Sequence, residues 1–166
     1  SIMEAPLVEG GEPGEVDTVV LADIAIEVRK GQSVAIVGKM GAGKSSLLAA
    51  IMGEMRPAQG ATVRTQGSIS YVGQKPFLTI DTVENNILFG LPRDTQRLKD
   101  SIERACLDTD LKEMPKGLQT HLGESGVNLS GGQKMRINLA RSFYSQYDIY
   151  MLDDPISALD VHVGRK

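Results

Sequence analysis

The chain has 166 residues, the size of one domain, and its 41% hydrophobic and 23% charged residues exclude disordered and fibrous proteins. The net charge of −3 disfavours a nucleic-acid partner, since such proteins carry an excess of Lys and Arg on the binding face. The single cysteine excludes an internal disulfide and a multi-cysteine zinc site, and we expect Cys106 to be a small core residue. No run approaches the roughly 18 apolar residues of a membrane span.

The N-terminal third predicts a flexible segment, then two strands and a helix. Residues 1–18 are interpreted as flexible, because residues 8–18 hold four acids and three glycines and few apolar side chains. The alternation over residues 23–28 predicts a half-exposed strand, and the apolar run S-V-A-I-V at 33–37 predicts a strand buried on both faces. Apolar residues at helical spacing then predict a helix over 45–52.

The middle of the chain combines a strand with a helical lobe. Residues 67–72 predict a second strand region. The pattern from Asp81 to Glu84 resembles a capping box and predicts a short helix that ends near Phe89. Residues 93–116 are charge-rich and predict a separate helical lobe, whose apolar face carries Leu98, Ile102 and Ala105.

The last third predicts one more helix and one more strand. A helix is expected over 131–144, followed by a third buried strand over 149–152. The largely buried side chains of that helix are predicted to be Met135, Ile137, Leu139, Ala140 and Phe143. A strand, a Gly-rich turn, a helix and further strands together predict an α/β fold with a parallel central sheet.

A phosphate-binding motif lies between the strand predicted at 33–37 and the helix that follows it. Its sequence, G-K-M-G-A-G-K-S, fits the pattern G-x-x-x-x-G-K-[ST]. Glycines allow backbone N–H groups to point at phosphate oxygens; Lys44 would bridge the β- and γ-phosphates, and Ser45 would offer its hydroxyl to Mg²⁺. The motif alone leaves the P-loop family open. The predicted nucleotide-binding residues are Gly38, Lys39, Met40, Gly41, Ala42, Gly43, Lys44, Ser45 and Ser46.

Two further groups of residues point to nucleotide chemistry. Asp153 follows the apolar run 149–152, where P-loop ATPases place the acid that holds Mg²⁺. The next residue, Asp154, is placed where a general base could reach an attacking water. The pentapeptide L-S-G-G-Q at 129–133 begins a predicted helix and forms a second anion-binding surface.

In this order the motifs resemble those of the nucleotide-binding domain of an ATP-binding-cassette (ABC) transporter. The resemblance rests on the P-loop, Gln74 in Y-V-G-Q, L-S-G-G-Q, Asp153 and the S-A-L-D sequence at 157–160, and it extends over residues 19–166. Three longer segments resemble the first, N-terminal, nucleotide-binding domain of the multidrug-resistance-associated (C) subfamily. They are T-V-E-N-N-I-L-F-G, G-E-S-G-V-N-L-S-G-G-Q and D-D-P-I-S-A-L-D-V-H-V-G-R.

The resemblance implies an architecture. It implies the P-loop NTPase fold of ABC ATPases, with a mostly parallel sheet core, a small antiparallel β part and an inserted helical subdomain. The flexible segment 1–18 would precede a nucleotide-binding domain at 19–166, with the helical subdomain at about 82–145.

The resemblance also implies a function, cofactors and partners. The domain would bind and hydrolyse ATP with Mg²⁺ to power solute transport by a membrane exporter, at the cytoplasmic face. It would pair head to tail with a second nucleotide-binding domain and contact the transmembrane domains, with no nucleic acid involved. Lys44, Gln74 and Asp154 would be catalytic, and Ser45, Gln74 and Asp153 would hold the metal. The residues that cover the partner's ATP would be Ser130, Gly131, Gly132 and Gln133.

Three departures from the family pattern modify this expectation. Asp154 stands where the family usually has a glutamate, so we expect weak hydrolysis at this site. The family's switch histidine has no match before Lys166, and His162 lies too near the S-A-L-D sequence to replace it. No aromatic residue precedes Tyr71 to stack on adenine. Two alternatives therefore stay open: a regulatory ATP-sensing domain of a channel-like ABC protein, and a soluble ABC ATPase of DNA repair or translation.

Overall fold

The computed structural model describes residues 2–4, 7–8, 19–58, 60–123 and 128–155. The chain divides into two compact units, Ser1–Gly67 and Ser68–Lys166, each with its own apolar core. None of the helices in these described ranges has the length and apolar character needed to cross a bilayer.

The first unit combines short antiparallel strands with one helix. Its elements are β1 (Ile2–Glu4), β2 (Leu7–Val8), β3 (Val19–Leu21), β4 (Ile26–Glu27), α1 (Lys44–Met52), β5 (Arg56–Pro57) and β6 (Thr62–Arg64). In the described part of this unit the strands form two three-stranded sheets, with the orders β4-β1-β6 and β3-β2-β5, and every pairing is antiparallel. Strands β1 and β2 thus lie inside the segment predicted to be flexible, while residues 9–18 lie outside the described part.

The buried strand predicted at 33–37 is not formed. This segment belongs to neither sheet of the first unit, and Val34 and Val37 are 56% and 91% exposed. A strand is buried on both faces only when neighbouring strands pair with it and other elements cover its faces. In the described part of this unit the strands pair with one another instead, so the apolar run stays an irregular connection into the glycine turn.

The second unit contains a parallel strand pair and most of the helices. Its elements are β7 (Ile69–Val72), α2 (Val83–Leu88), α3 (Thr95–Arg104), α4 (Asp108–Glu113), a 3₁₀ helix (Gly117–Gln119), α5 (Gly131–Ser145) and β8 (Ile149–Leu152). Strands β7 and β8 pair in parallel, with Ile69 opposite Ile149 and Val72 opposite Leu152. The predicted strands at 67–72 and 149–152 are therefore confirmed. The sequence predicted a parallel central sheet. Among the described residues, β7 and β8 are the strands that pair in parallel.

Strand β8 is less buried than predicted. Met151 is buried, but Tyr150 and Leu152 keep 38% and 37% of their surface exposed. Tyr150 and Leu152 point to the opposite face of the sheet from Met151, and the described residues of this unit cover that face only in part.

Helices α3 and α5 supply much of the core of the second unit. The apolar face predicted for α3 is confirmed, with Leu98, Ile102 and Ala105 buried. The predicted core residues of α5 are also buried, apart from Phe143, which is partly buried. The prediction for Cys106 is wrong: the residue is exposed, with φ 54° in the turn after α3. The left-handed turn directs this side chain outward and places Leu107 in the core instead.

A buried ion pair joins α4 to α5. Arg136 donates from Nε and Nη2 to the two carboxylate oxygens of Asp110, and both side chains are about nine-tenths buried. The planar guanidinium matches the carboxylate with two parallel hydrogen bonds, an arrangement that fixes direction as well as distance. The pair therefore sets how α4 lies against the first half of α5.

Candidate functional site

The P-loop in the first unit turns tightly because three of its positions are glycine. Gly41 and Gly43 have φ of 79° and 81°, in the left-handed region that other residues rarely adopt. A Cβ on Gly43 would lie 3.0 Å from Leu21 Cδ2, and one on Gly38 would lie 3.3 Å from the Cβ of Ala42. The loop thus needs glycine both for its backbone and for its packing.

Helix α1 begins directly after this turn. Its N-cap, Gly43, has no side chain to accept a hydrogen bond, so the first-turn N–H groups are not capped from that position. Nζ of Lys44 donates to the carbonyl oxygens of Gly38 and Lys39, 2.9 Å from each. The ammonium group is thereby held against the loop, and its third N–H makes no hydrogen bond to the residues that the structure describes. Ser45 is exposed at the start of the helix.

These features fit a polyphosphate group. Uncapped N–H groups at a helix N-terminus carry partial positive charge, and a lysine ammonium beside them adds a full charge. The hydroxyl of Ser45 supplies an oxygen of the kind that Mg²⁺ accepts. The remaining predicted loop residues are arranged around the same turn: Lys39, Met40 and Ala42 are exposed, and Ser46 is half-buried.

In the second unit, the parallel register brings the ends of β7 and β8 side by side. The N–H of Asp153 donates to the carbonyl of Val72 at 2.8 Å, which extends the pairing one step beyond β8. Gln74 follows β7, and Asp153 and Asp154 follow β8. These three predicted residues therefore lie at the carboxyl end of the strand pair. Asp153 is 6% exposed, whereas Gln74 and Asp154 are exposed.

No three-residue cluster of His, Cys, Asp and Glu that could hold a metal occurs within the described residues. Proteins usually bind Mg²⁺ through one or two carboxylates together with water and substrate phosphates. Asp153 fits such a role, since it is a buried carboxylate at the carboxyl end of a parallel strand.

The predicted signature residues form the start of α5. The hydroxyl of Ser130 accepts a hydrogen bond from the N–H of Gln133, and the side-chain carbonyl of Gln133 accepts one from the N–H of Ser130. This capping box fixes the first turn of the helix. Gly131 is exposed, with nothing within 4 Å of where a Cβ would stand, so a ligand surface can approach its backbone closely.

The structure therefore places the predicted site residues in three groups. The P-loop residues lie in the first unit, and the strand-end group and the start of α5 lie in the second. The S-A-L-D sequence at 157–160 and His162 lie outside the described residues.

Sequence reasoning missed a polar network that holds the segment after Gln74. Arg141 of α5 donates to the backbone carbonyls of Phe77 (2.8 Å) and Asn86 (2.7 Å) and to Oδ1 of Asn86 (3.0 Å). Asn86 is fully buried and also bonds the backbone N–H and carbonyl of Thr79. The Arg141 guanidinium lies 4.4 Å from the ring centroid of Phe89. No local sequence pattern indicates this network, because Arg141 contacts residues that lie 55 and 64 positions away in the chain.

Burial lowers the pKa of Arg141 below its usual range. An arginine titrates so far above neutral pH that the group still carries its charge. The charged guanidinium therefore donates to oxygen atoms inside the protein, and it ties α5 to the segment at 77–89. We call this set of hydrogen bonds the Arg141 bracket.

Helix α2 starts one residue later than the capping-box pattern predicts. Thr82 is the N-cap, and its hydroxyl accepts from the N–H of Asn85. Glu84 accepts from Arg93 and from the side chain of Gln119 instead of reaching back to the cap. The predicted end of α2 is confirmed, since the chain turns left-handed immediately after Leu88.

Beside α2 lies an open cleft of about 450 Å³, lined by Thr79, Asp81, Asn85, Leu88, Phe89, Gly90 and Leu91. Hydrogen bonds from the Asn85 side chain and from the N–H of Thr82 hold the pKa of Asp81 below its usual range. The cleft therefore keeps a negative charge at neutral pH. Large exposed apolar residues nearby in sequence are Phe77, Ile80, Phe89 and Leu91.

Comparison with known proteins gives consistent matches. Residues 21–157 match the protein family described as ABC transporter. ATP-binding cassette sub-family C member 3 of Homo sapiens is 46% identical over 145 residues, 87% of this chain and 9% of that protein. Multidrug resistance protein mrp-7 of Caenorhabditis elegans is 46% identical over 145 residues, 87% of this chain and 9% of its own length. ABC transporter C family member 13 of Oryza sativa subsp. japonica is 48% identical over 147 residues, which are 89% of this chain and 10% of that protein. The chain thus spans about a tenth of the length of these relatives.

The P-loop glycines give a matched pair of substitutions. Gly41→Ala places a side chain in open space. It should lower the free energy of unfolding by about 1 kcal/mol, because alanine is strained in the left-handed backbone conformation. Gly43→Ala pays a similar backbone cost and also forces a contact with Leu21, so we expect a loss of about 2 kcal/mol or more. Urea denaturation measures both losses. Equal losses for the two variants would show that the contact with Leu21 does not add to the cost of Gly43→Ala.

Proposed function

The chain belongs to the ABC transporter family, with relatives in its C sub-family, and we propose that it is the ATP-binding and ATP-hydrolysing domain of an exporter. The observation that carries this proposal is the P-loop geometry, in which Lys44 and the uncapped start of α1 lie together at one glycine turn. The resemblance to the C subfamily is confirmed by the relatives, and the assignment to its first nucleotide-binding domain stays a prediction.

ATP would bind with its phosphates at the P-loop. The N–H groups of α1 and the Lys44 ammonium would donate to phosphate oxygens, and the hydroxyl of Ser45 would face the metal. Asp153 would hold the metal through its carboxylate, and Gln74 would contact the metal or the attacking water. A bound Mg²⁺ neutralises phosphate charge and orients the terminal phosphate. The residues of the chain do the positioning, which is most of the catalysis in phosphoryl transfer.

The start of α5 would cover the ATP of a second domain. The capping box uses one lone pair of the Ser130 hydroxyl and the N–H groups of Ser130 and Gln133, so the hydroxyl proton and the N–H groups of Gly131 and Gly132 can donate outward. Gly131 and Gly132 let a γ-phosphate approach the backbone. In a head-to-tail pair, each domain would then close the nucleotide site of the other.

The transmembrane domains are the other proposed partner. The segment at 75–88, which follows Gln74, would contact them, since it exposes the apolar side chains of Phe77 and Ile80 and lines part of the cleft beside α2. The Arg141 bracket ties this segment to α5. We place the domain at the cytoplasmic face of a membrane, with no nucleic acid as partner.

Asp154 favours slow hydrolysis and, with it, a second candidate function. Its carboxylate is one methylene shorter than the glutamate that the family usually carries, and a base displaced by about 1 Å can lose about 100-fold in rate. A domain that binds ATP durably and cleaves it slowly suits a regulatory ATP sensor of a channel-like ABC protein. Transport assays distinguish this sensor from an exporter domain.

ATP binding through Lys44 is testable on the chain itself. Lys44→Ala should weaken ATP binding at least about tenfold, because a charge-assisted bond to phosphate is lost in a partly enclosed loop. Lys30→Ala removes an exposed lysine of the same unit and should leave the affinity unchanged. Isothermal titration calorimetry with Mg·ATP measures both variants. Equal affinity for Lys44→Ala and wild type would remove the P-loop assignment.

The slow-hydrolysis proposal predicts a gain of function. With the partner nucleotide-binding domain present, Asp154→Glu should raise ATP turnover at this site by one to two orders of magnitude, roughly the range that a displaced base costs. Asp154→Asn keeps the size of the side chain, removes its basicity and should lower the turnover. Single-turnover phosphate release measures each variant. An unchanged rate for Asp154→Glu would contradict the assignment of Asp154 as the shortened base.

A further inference from the structure

Four residues at the ends of β7 and β8 share one face of the strand pair. The parallel register places Tyr71 directly opposite Met151, and side chains two residues apart in a strand point the same way. Gly73 therefore lies on the same face as Tyr71, and Asp153 lies on the same face as Met151. The strand pairing alone therefore directs the Tyr71 ring and the Asp153 carboxylate toward the same side.

The ring of Tyr71 lies across Gly73. A Cβ on Gly73 would be 3.2 Å from Tyr71 Cε1 and 3.4 Å from the Tyr71 hydroxyl oxygen. A side chain at this position would force the phenol to move by a few tenths of an ångström. From there the Tyr71 hydroxyl donates to Oδ2 of Asp153 at 3.2 Å.

The two carboxylate oxygens of Asp153 thus have different surroundings. Oδ2 accepts from the Tyr71 hydroxyl, while Oδ1 accepts no hydrogen bond from any residue in the described ranges. A carboxylate held at one oxygen loses rotation about its Cβ–Cγ bond. Its other oxygen then has a fixed direction.

We propose that Tyr71 is a positioning residue for the metal site: its hydroxyl holds Oδ2 of Asp153 so that Oδ1 faces the water shell of the ATP-bound cation. The inference rests on the proposed function, since it assigns a role toward the metal of that same site. Hydrogen bonds to ligating carboxylates commonly tune metal affinity, with losses of about 10- to 100-fold when they are removed. The contact here is long and Tyr71 is 44% exposed, which places the expected loss at about three- to tenfold.

Tyr71→Phe removes one oxygen atom and keeps the ring. Tyr150→Phe is the matched control, because Tyr150 lies on the neighbouring strand with similar exposure and its hydroxyl makes no hydrogen bond to the described residues. Gly73→Ala is a second variant, which displaces the ring and leaves the hydroxyl in place. Mn²⁺ replaces Mg²⁺ as the probe, and its binding in the presence of ATP is measured by electron paramagnetic resonance. ATP affinity in excess EDTA is measured in parallel.

The proposal predicts that Tyr71→Phe and Gly73→Ala weaken Mn²⁺ binding about three- to tenfold, with ATP affinity in EDTA unchanged. Tyr150→Phe should match wild type. In an Asp153→Asn background, Tyr71→Phe should have no further effect, because the carboxylate that it positions is gone. Wild-type Mn²⁺ affinity in Tyr71→Phe, or an equal loss in the Asp153→Asn background, would overturn the proposal. If Lys44→Ala and Asp153→Asn both bind Mn²⁺ and ATP as wild type does, the proposed function itself fails, and this inference fails with it.

Discussion

The parallel pairing of β7 with β8 is the constraint on which the strand-end group depends. The register is set where the strands begin, since the carboxylate of Asp148 accepts from both the N–H and the hydroxyl of Ser68 (2.8 and 2.7 Å). The N–H of Ile149 then donates to the Ser68 carbonyl, and the pairing continues to Asp153. A slip by one residue would turn the Asp153 carboxylate to the opposite face of the sheet. The position of one carboxylate thus depends on hydrogen bonds made at the other end of the strands.

Helix α5 connects the remaining features of the second unit. Its first turn is fixed by the capping box of Ser130, its first half by the ion pair of Arg136 with Asp110, and its second half by the Arg141 bracket. Breaking a buried ion pair costs about 3–5 kcal/mol, because a charge is left without compensation. The proposed ATP-covering surface and the proposed membrane-facing segment are therefore both attached to the same helix.

Local patterns in the sequence predicted many of the elements. The two strands of the parallel pair, the helix over 131–144 and the glycine turn before α1 are encoded in contiguous residues, so periodicity and motif spacing identify them. Contacts between distant residues were not predictable: Arg136 and Asp110 are 26 residues apart, and Arg141 and Asn86 are 55 apart. The strand predicted at 33–37 failed for a related reason, since apolar character indicates burial but does not supply the neighbouring strand that a buried strand requires.

The proposal on which the others depend is that the carboxyl ends of β7 and β8 face the metal of an ATP site. Paramagnetic broadening of backbone amide NMR signals by Mn²⁺ bound with ATP measures this directly, because the effect falls off steeply with distance from the metal. We expect strong broadening of the signals of Gly73, Gln74 and Asp153, and sharp signals in α3 at Leu98 and Ile102. Signals at the strand ends that stay as sharp as those of α3, while ATP and Mn²⁺ are bound, would contradict this proposal.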